Sequence, residues 1–188
     1  GEGPRLQPLV PEPVWKLAEP EKAIQRLAPV YETVERIKRQ LDKDVALIGF
    51  AGGPWTVATY MLQGRGGDKD EARVTAYRRP VDVDALLDVL VETTALHLQA
   101  QVKAGADCVQ IFESWSQDLP EPMFERLIVK PTAKLVKRLR ALNVAVPIIG
   151  FPRGSGAQFG RYAHESGVTA VGVDYQTPAQ FARDQAPS

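Results

Sequence analysis

The sequence has a single cysteine, Cys108, in 188 residues. That excludes an internal disulfide and a cysteine-rich zinc site. Such usage suits a reducing cytosol. Histidine is almost as scarce: His97 and His164 are too few for multi-histidine metal chemistry. An excess of one charge is also lacking, with 23 Lys plus Arg against 23 Asp plus Glu. A surface for a nucleic-acid backbone needs a basic excess or stripe, so no nucleic-acid partner is expected. No apolar run approaches the ~20 residues of a membrane-spanning helix, so no membrane partner is expected. The start, "GEGPRLQPLVPEP", lacks the charged and apolar regions of a secretion signal. What is present is the composition of a globular domain, 44% hydrophobic and 24% charged.

Residues 1–20 are proline-rich and polar and read as an extended lead-in; residues 21–188 read as one domain. From Pro20 to Leu41, Ile24, Leu27, Val30, Val34 and Ile37 keep a helical spacing that Pro29 must kink or split. Four β-like runs follow: "VALIGF" at 45–50, "CVQIF" at 108–112, "VPIIGF" at 146–151 and "AVGVDY" at 170–175. Each is mostly apolar, as expected of strands covered on both faces. Between them, helical patterns run over Val81–Lys103, Pro122–Leu142 and Gly156–Gly167, with glycine stops at Gly105 and Gly167.

The alternation of strand and helix predicts an α/β fold of about four parallel strands joined by right-handed crossovers. A dinucleotide fold requires G-x-G-x-x-G directly after a strand, and "GFAGGPW" does not fit. Aromatic and polar residues sit instead at several strand ends: Phe50, Phe112-Glu113-Ser114, Phe151-Pro152-Arg153 and Asp174-Tyr175. That distribution belongs to a (β/α)8 TIM barrel, which takes about 250 residues, so a partial barrel is expected. Gly52, Gly53 and Pro54 turn the chain from strand to helix, and the free amides there can hold an anion. Gly64-Arg65-Gly66-Gly67 lacks the phosphate-loop pattern and reads as a mobile rim loop. His97 and His164 read as packing or surface residues, and Cys108 as a buried small hydrophobe.

Four segments, "LIGFAGGPWTVATYMLQG", "GADCVQIFESW", "VPIIGFPRG" and "GVTAVGVDYQTP", resemble the uroporphyrinogen decarboxylase family, in the family's order and at similar separations. "GEGPRL" is similar to the family's segment before its second barrel strand. The resemblance implies a (β/α)8 barrel that works as a homodimer without metal or organic cofactor. It implies the decarboxylation of the four acetate arms of uroporphyrinogen to give coproporphyrinogen. The family's N-terminal arginine-rich loop, its first-strand aspartate and its late "GHG" histidine have no match here. The resemblance therefore implies the middle of such an enzyme, with flanking parts absent.

Decarboxylating a pyrrole acetate needs no electron-sink cofactor, because the protonated ring accepts the electrons left by carbon dioxide. The site must stabilise that cation, deliver protons and clamp eight carboxylates. The resemblance makes Tyr60 the residue that hydrogen-bonds near the substrate; its other reading is a core tyrosine beside Met61. Ser114 matches the family's small hydroxyl residue and can donate to a carboxylate, or it is a turn serine before Trp115. Phe50 and Phe112 either wall the substrate or fill the barrel core. Arg153 stands at a basic position of the family and pairs with a substrate carboxylate or with Asp174. Arg65, on the rim loop, is a further candidate for a carboxylate contact. Alternation turns Glu113 away from Ser114, toward a structural ion pair. Asp174 is expected to organise loops. Two other readings stay open: a corrinoid-linked methyltransferase of the same superfamily, and a non-catalytic porphyrin-binding module. A partial barrel leaves open sheet edges, so the 188-residue chain is expected to self-associate; light scattering checks this, and a clean monomer contradicts it.

Overall fold

A computed structural model describes residues 6–9, 19–65 and 70–186. Most of the lead-in and Gly66–Gly67 thus lie outside the described residues. Four parallel strands form one sheet in the order β1-β2-β3-β4: β1 Ile48–Gly52, β2 Cys108–Glu113, β3 Ile148–Pro152 and β4 Ala170–Val171. Helices join and flank them: α1 Pro20–Arg26, α2 Ala28–Gln40, α3 Pro54–Gln63, α4 Asp70–Arg78, α5 Pro80–Lys103, α6 Glu121–Phe124, α7 Lys130–Ala141, α8 Phe159–Glu165 and α9 Ala179–Gln185. This is the expected α/β arrangement of a partial TIM barrel. No helix among the described residues is long and apolar enough to cross a membrane.

Local chemistry explains where the elements differ from the pattern. The first helical segment splits at Leu27, and Pro29 sits in the first turn of α2, where a missing N–H costs nothing. The next-to-last predicted helix carries a π-turn, Glu125–Val129, just before Pro131. Pro131 cannot donate to the carbonyl four residues back and its ring crowds that carbonyl; a widened turn relieves both. β1 begins at Ile48 and β3 at Ile148 rather than at residues 45 and 146. β4 stops at Val171 because Asp174 draws the following residues into a turn. The short helices α4 and α9 lie outside the pattern predicted above. α4 has acidic residues Asp70 and Glu71 in its first turn and Arg78 in its last, as the helix dipole favours.

The strands are covered on one face, not two. Exposure alternates along β2, with Val109, Ile111 and Glu113 buried and Cys108, Gln110 and Phe112 only half-buried. The buried side packs on α5 and α7 through Val109, Ile111, Ile148, Leu98, Leu135 and Leu139. A second cluster, centred on Trp55, Leu86, Phe124, Leu127 and Tyr162, lies under α3, α4 and α8. α5 and α7 are also laced by Lys134–Asp88 and Arg138–Glu92, with Arg126–Asp84 one step before α7. These pairs lie at the surface and orient the helices more than they stabilise them. The uncovered face carries Ile48, Phe50, Phe112, Ile149 and Phe151. Cys108 faces that side too, so it is half-exposed rather than buried.

His97 belongs to a relay that ties α2 to β1. The Gln101 carboxamide accepts from the Phe50 N–H at 3.0 Å and donates to the Phe50 carbonyl at 2.9 Å. Both backbone groups of Phe50 are thus satisfied by a side chain. The Gln101 nitrogen, a donor only, also lies 2.9 Å from His97 Nε2. His97 Nε2 must therefore accept, its proton sits on Nδ1, and Nδ1–H donates to the Tyr31 hydroxyl at 3.0 Å. Burial lowers the His97 pKa and favours this neutral form. His164 lies exposed on α8.

Two expected outcomes follow from these contacts. Leu139→Ala, in the covered core, should cost about 2–5 kcal/mol, whereas Phe50→Ala, on the open face, should cost less than about 1 kcal/mol. Denaturant melts of both variants check this, and equal costs contradict one-sided burial. The relay's contribution should be complete above the unfolded histidine pKa, about 6.5, and lost as pH falls through the lower folded value. Protonation also sets an Nε2–H against the Gln101 amide. The wild type should therefore lose stability relative to His97→Gln as pH falls below about 6.5, measured by denaturation at several pH values; parallel pH curves would contradict the relay.

Candidate functional site

The C-terminal ends of the strands are furnished by parity. In β1, β2 and β3 the residues Phe50, Phe112 and Phe151 all point to the uncovered face. Phe112 pairs in register with Phe151 on one side and with Gly52 on the other. Gly52 has no side chain, so the Phe112 ring meets Phe50 on the diagonal. The centroids are 5.9 Å apart for Phe50–Phe112 and 5.8 Å for Phe112–Phe151, both edge-to-face. This geometry is favourable for aromatic quadrupoles. Phe50 is 61% exposed. The row is an apolar surface open on one side, and Phe151 extends the line of Phe50 and Phe112. Its position at the end of a third strand was the available signal.

Tyr60 projects from α3, half-buried, with its ring 6.0 Å from that of Trp115. Trp115 follows Ser114 in the turn that leaves β2. The Trp55 indole N–H donates to the Trp115 carbonyl at 3.2 Å, tying α3 to the same turn. Tyr60 is therefore brought beside the β2 exit on which Ser114 lies. Trp115, which forms this junction, was not singled out as a site residue.

The Gly-Gly-Pro turn does hold an anion, and that anion is the protein's own. The Glu113 carboxyl accepts from the Trp55 N–H at 3.2 Å, the Thr56 N–H at 3.0 Å and the Thr56 hydroxyl at 2.8 Å. First-turn amides have no partner inside their helix, so an acceptor here caps α3. A Cβ on Gly53 would overlap this carboxyl. Alternation does turn Glu113 away from Ser114, but its partners are α3 donors rather than the expected ion pair. The carboxyl is fully buried, and burial pushes its pKa up to about 7 against the opposing hydrogen bonds from Thr56 and Trp55. The Tyr162 phenol, also fully buried, is raised by burial and by the nearby Glu113 charge.

Arg153 is exposed at the end of β3. Its backbone is fixed, with N–H donating to the Glu113 carbonyl at 3.1 Å and carbonyl accepting from the Ser116 hydroxyl at 2.6 Å. Its guanidinium makes no ion pair with Asp174 among the described residues, contrary to one of its two expected roles. Asp174 instead accepts from the N–H groups of Gly154 at 2.7 Å, Gln176 at 2.9 Å and Thr177 at 3.1 Å, and from the Thr177 hydroxyl. Burial raises its pKa, but these donors outweigh burial and hold it below the usual carboxylate value. It organises the loops after β3 and β4, as expected. Arg65 is exposed beyond Gly64, which ends α3 with a left-handed φ of 74°.

Comparison with known proteins gives this geometry its context. Residues 1–187 match the family described as "Uroporphyrinogen decarboxylase (URO-D)". The chain is 49% identical over 183 residues to a uroporphyrinogen decarboxylase of Phenylobacterium zucineum, covering 97% of this chain and 53% of that protein. It is 45% identical to the one from Rhizorhabdus wittichii, over 100% of this chain and 54% of the relative. For Hyphomonas neptunium the identity is 47%, over 96% and 53%. The chain thus spans about half the length of the curated relatives it matches. Among solved structures, a methyltransferase from Methanosarcina mazei superposes with a TM-score of 0.71 over 86% of this chain and 47% of that one, at 19% identity. That likeness is one of fold. By the match along nearly its whole length, the chain belongs to the uroporphyrinogen decarboxylase family.

Proposed function

We propose that this chain forms the central part of the active site of an enzyme that decarboxylates the four acetate arms of uroporphyrinogen III to coproporphyrinogen III, in porphyrin and haem biosynthesis. The observation that carries the reading is the row of Phe50, Phe112 and Phe151 on the open sheet face. Three adjoining rings offer an apolar, water-excluding surface against which a macrocycle can pack. The names of the relatives support the substrate class.

Each residue has a chemical task in this reading. The rings pack against the macrocycle and exclude water. The Tyr60 phenol donates to an acetate carboxylate, and the Ser114 hydroxyl to a neighbouring carboxylate oxygen. The Arg153 guanidinium pairs with a propionate or acetate at the rim. Protonation of a pyrrole carbon creates a cationic, imine-like ring. The carbon–carboxylate bond then breaks, its electron pair passes into the ring, and carbon dioxide leaves. A proton returned to the methylene carbon and one lost from the ring carbon leave a methyl group on a neutral pyrrole. The family's aspartate, loop arginines and histidine would complete the site from outside residues 1–188. The working enzyme is a cytoplasmic homodimer that needs no cofactor.

Titration of the 188-residue chain with uroporphyrin, followed by calorimetry, tests this reading. Binding is expected, and Phe112→Ala should weaken it by roughly ten-fold, the cost of losing a buried aromatic contact. Carbon dioxide release from uroporphyrinogen should be negligible for this chain alone. Absence of binding, or equal binding by Phe112→Ala, would overturn the proposed platform. Efficient turnover would overturn the placement of essential groups elsewhere.

A further inference from the structure

We propose that Glu113 is a positioning residue: its carboxyl, held in the core at the end of β2, seats the first turn of α3 and thereby sets where Tyr60 stands relative to Ser114. The proposal rests on the reading of Tyr60 and Ser114 as substrate contacts. It is carried by a set of ties that all run between residues 53–56 and residues 112–115. The Gly53 N–H donates to the Phe112 carbonyl at 2.8 Å. The Trp55 and Thr56 amides and the Thr56 hydroxyl converge on Glu113. The Trp55 indole reaches the Trp115 carbonyl.

These ties bracket Ser114 on the strand side. On the helix side, Tyr60 lies four residues after Thr56, one turn along the same face of α3. A helix is stiff over one turn, so fixing Thr56 fixes Tyr60. The Tyr60–Trp115 ring contact closes the circuit back to the β2 exit. Gly53 is part of the same device, because any side chain there would displace the carboxyl. A buried ionisable group is a costly way merely to fill space. An acceptor that takes three donors from one helix turn fixes orientation as well as position. The titratable group that faces Glu113 from another element is Tyr162 on α8, kept neutral by burial.

The test uses the 188-residue chain and two readouts: the nuclear Overhauser contact between the Tyr60 and Trp115 rings, and uroporphyrin affinity. Glu113→Gln keeps an acceptor oxygen for the Thr56 amide and hydroxyl but sets an amide donor against the Trp55 N–H, so it should weaken the ring contact and the affinity less than Glu113→Ala does. Glu113→Ala strands buried donors and should abolish the ring contact and weaken affinity by roughly ten-fold or more. Thr56→Val removes one of the three donors without emptying the core, and should weaken the ring contact even if Glu113→Ala does not fold. A ring contact unchanged in Glu113→Ala or in Thr56→Val would overturn the proposal, as would equal damage by Glu113→Gln and Glu113→Ala. If the wild type fails to bind uroporphyrin while the ring contact still depends on Glu113, the functional reading fails and the positioning role stands.

Discussion

One contact joins the strand ends to the helix that carries Tyr60: the buried Glu113 carboxyl against the first turn of α3. β2 reaches its end with Phe112 on the open face and Glu113 on the covered face, a consequence of two-residue periodicity alone. The helix that follows β1 needs an acceptor for its first amides, and Glu113 arrives there from the neighbouring strand. Gly53 leaves room for it, and Trp55 is carried into the core by the same turn. Strand end and helix start are thereby joined at the point where Tyr60, Ser114 and Trp115 gather.

The second organising fact is that the sheet has a dry face and an open one. The dry face carries the aliphatic contacts with α5 and α7 that hold the fold. The open face carries aromatic rings in contact with one another rather than with a covering layer. The aliphatic core and the aromatic row proposed to meet substrate thus lie on opposite sides of β1, β2 and β3. Gln101 connects the two sides at β1, where its amide satisfies both backbone groups of Phe50 and leads through His97 to Tyr31.

Much of this was legible in the sequence. The strand–helix alternation, the long α5 and the parallel order follow from apolar spacing and glycine stops. The placement of Phe50 and Phe112 near strand ends is legible, while the choice between a substrate wall and barrel core stays open in the sequence. Other features depend on partners distant in sequence. Glu113 and Trp55 are 58 residues apart, and no local pattern shows that the anion at the Gly-Gly-Pro turn is internal. Apolar runs suggest strands covered on both sides, because an aromatic on an open face and one buried in a core look alike in composition. Cys108 reads as buried from its apolar neighbours, but alternation along β2 sets it on the half-exposed face. β4 was overextended because "AVGVDY" is β-like throughout, whereas Asp174 collects backbone donors and bends the chain away.

Hydrogen exchange at the Trp55 and Thr56 amides tests the central contact most directly. First-turn amides ordinarily exchange fast because no carbonyl of their own helix accepts them. If both donate to a carboxyl inside the core, their protection should approach that of the β2 amides. Exchange at the rate of exposed loop amides would contradict the contact, and with it the account of how this chain places its site.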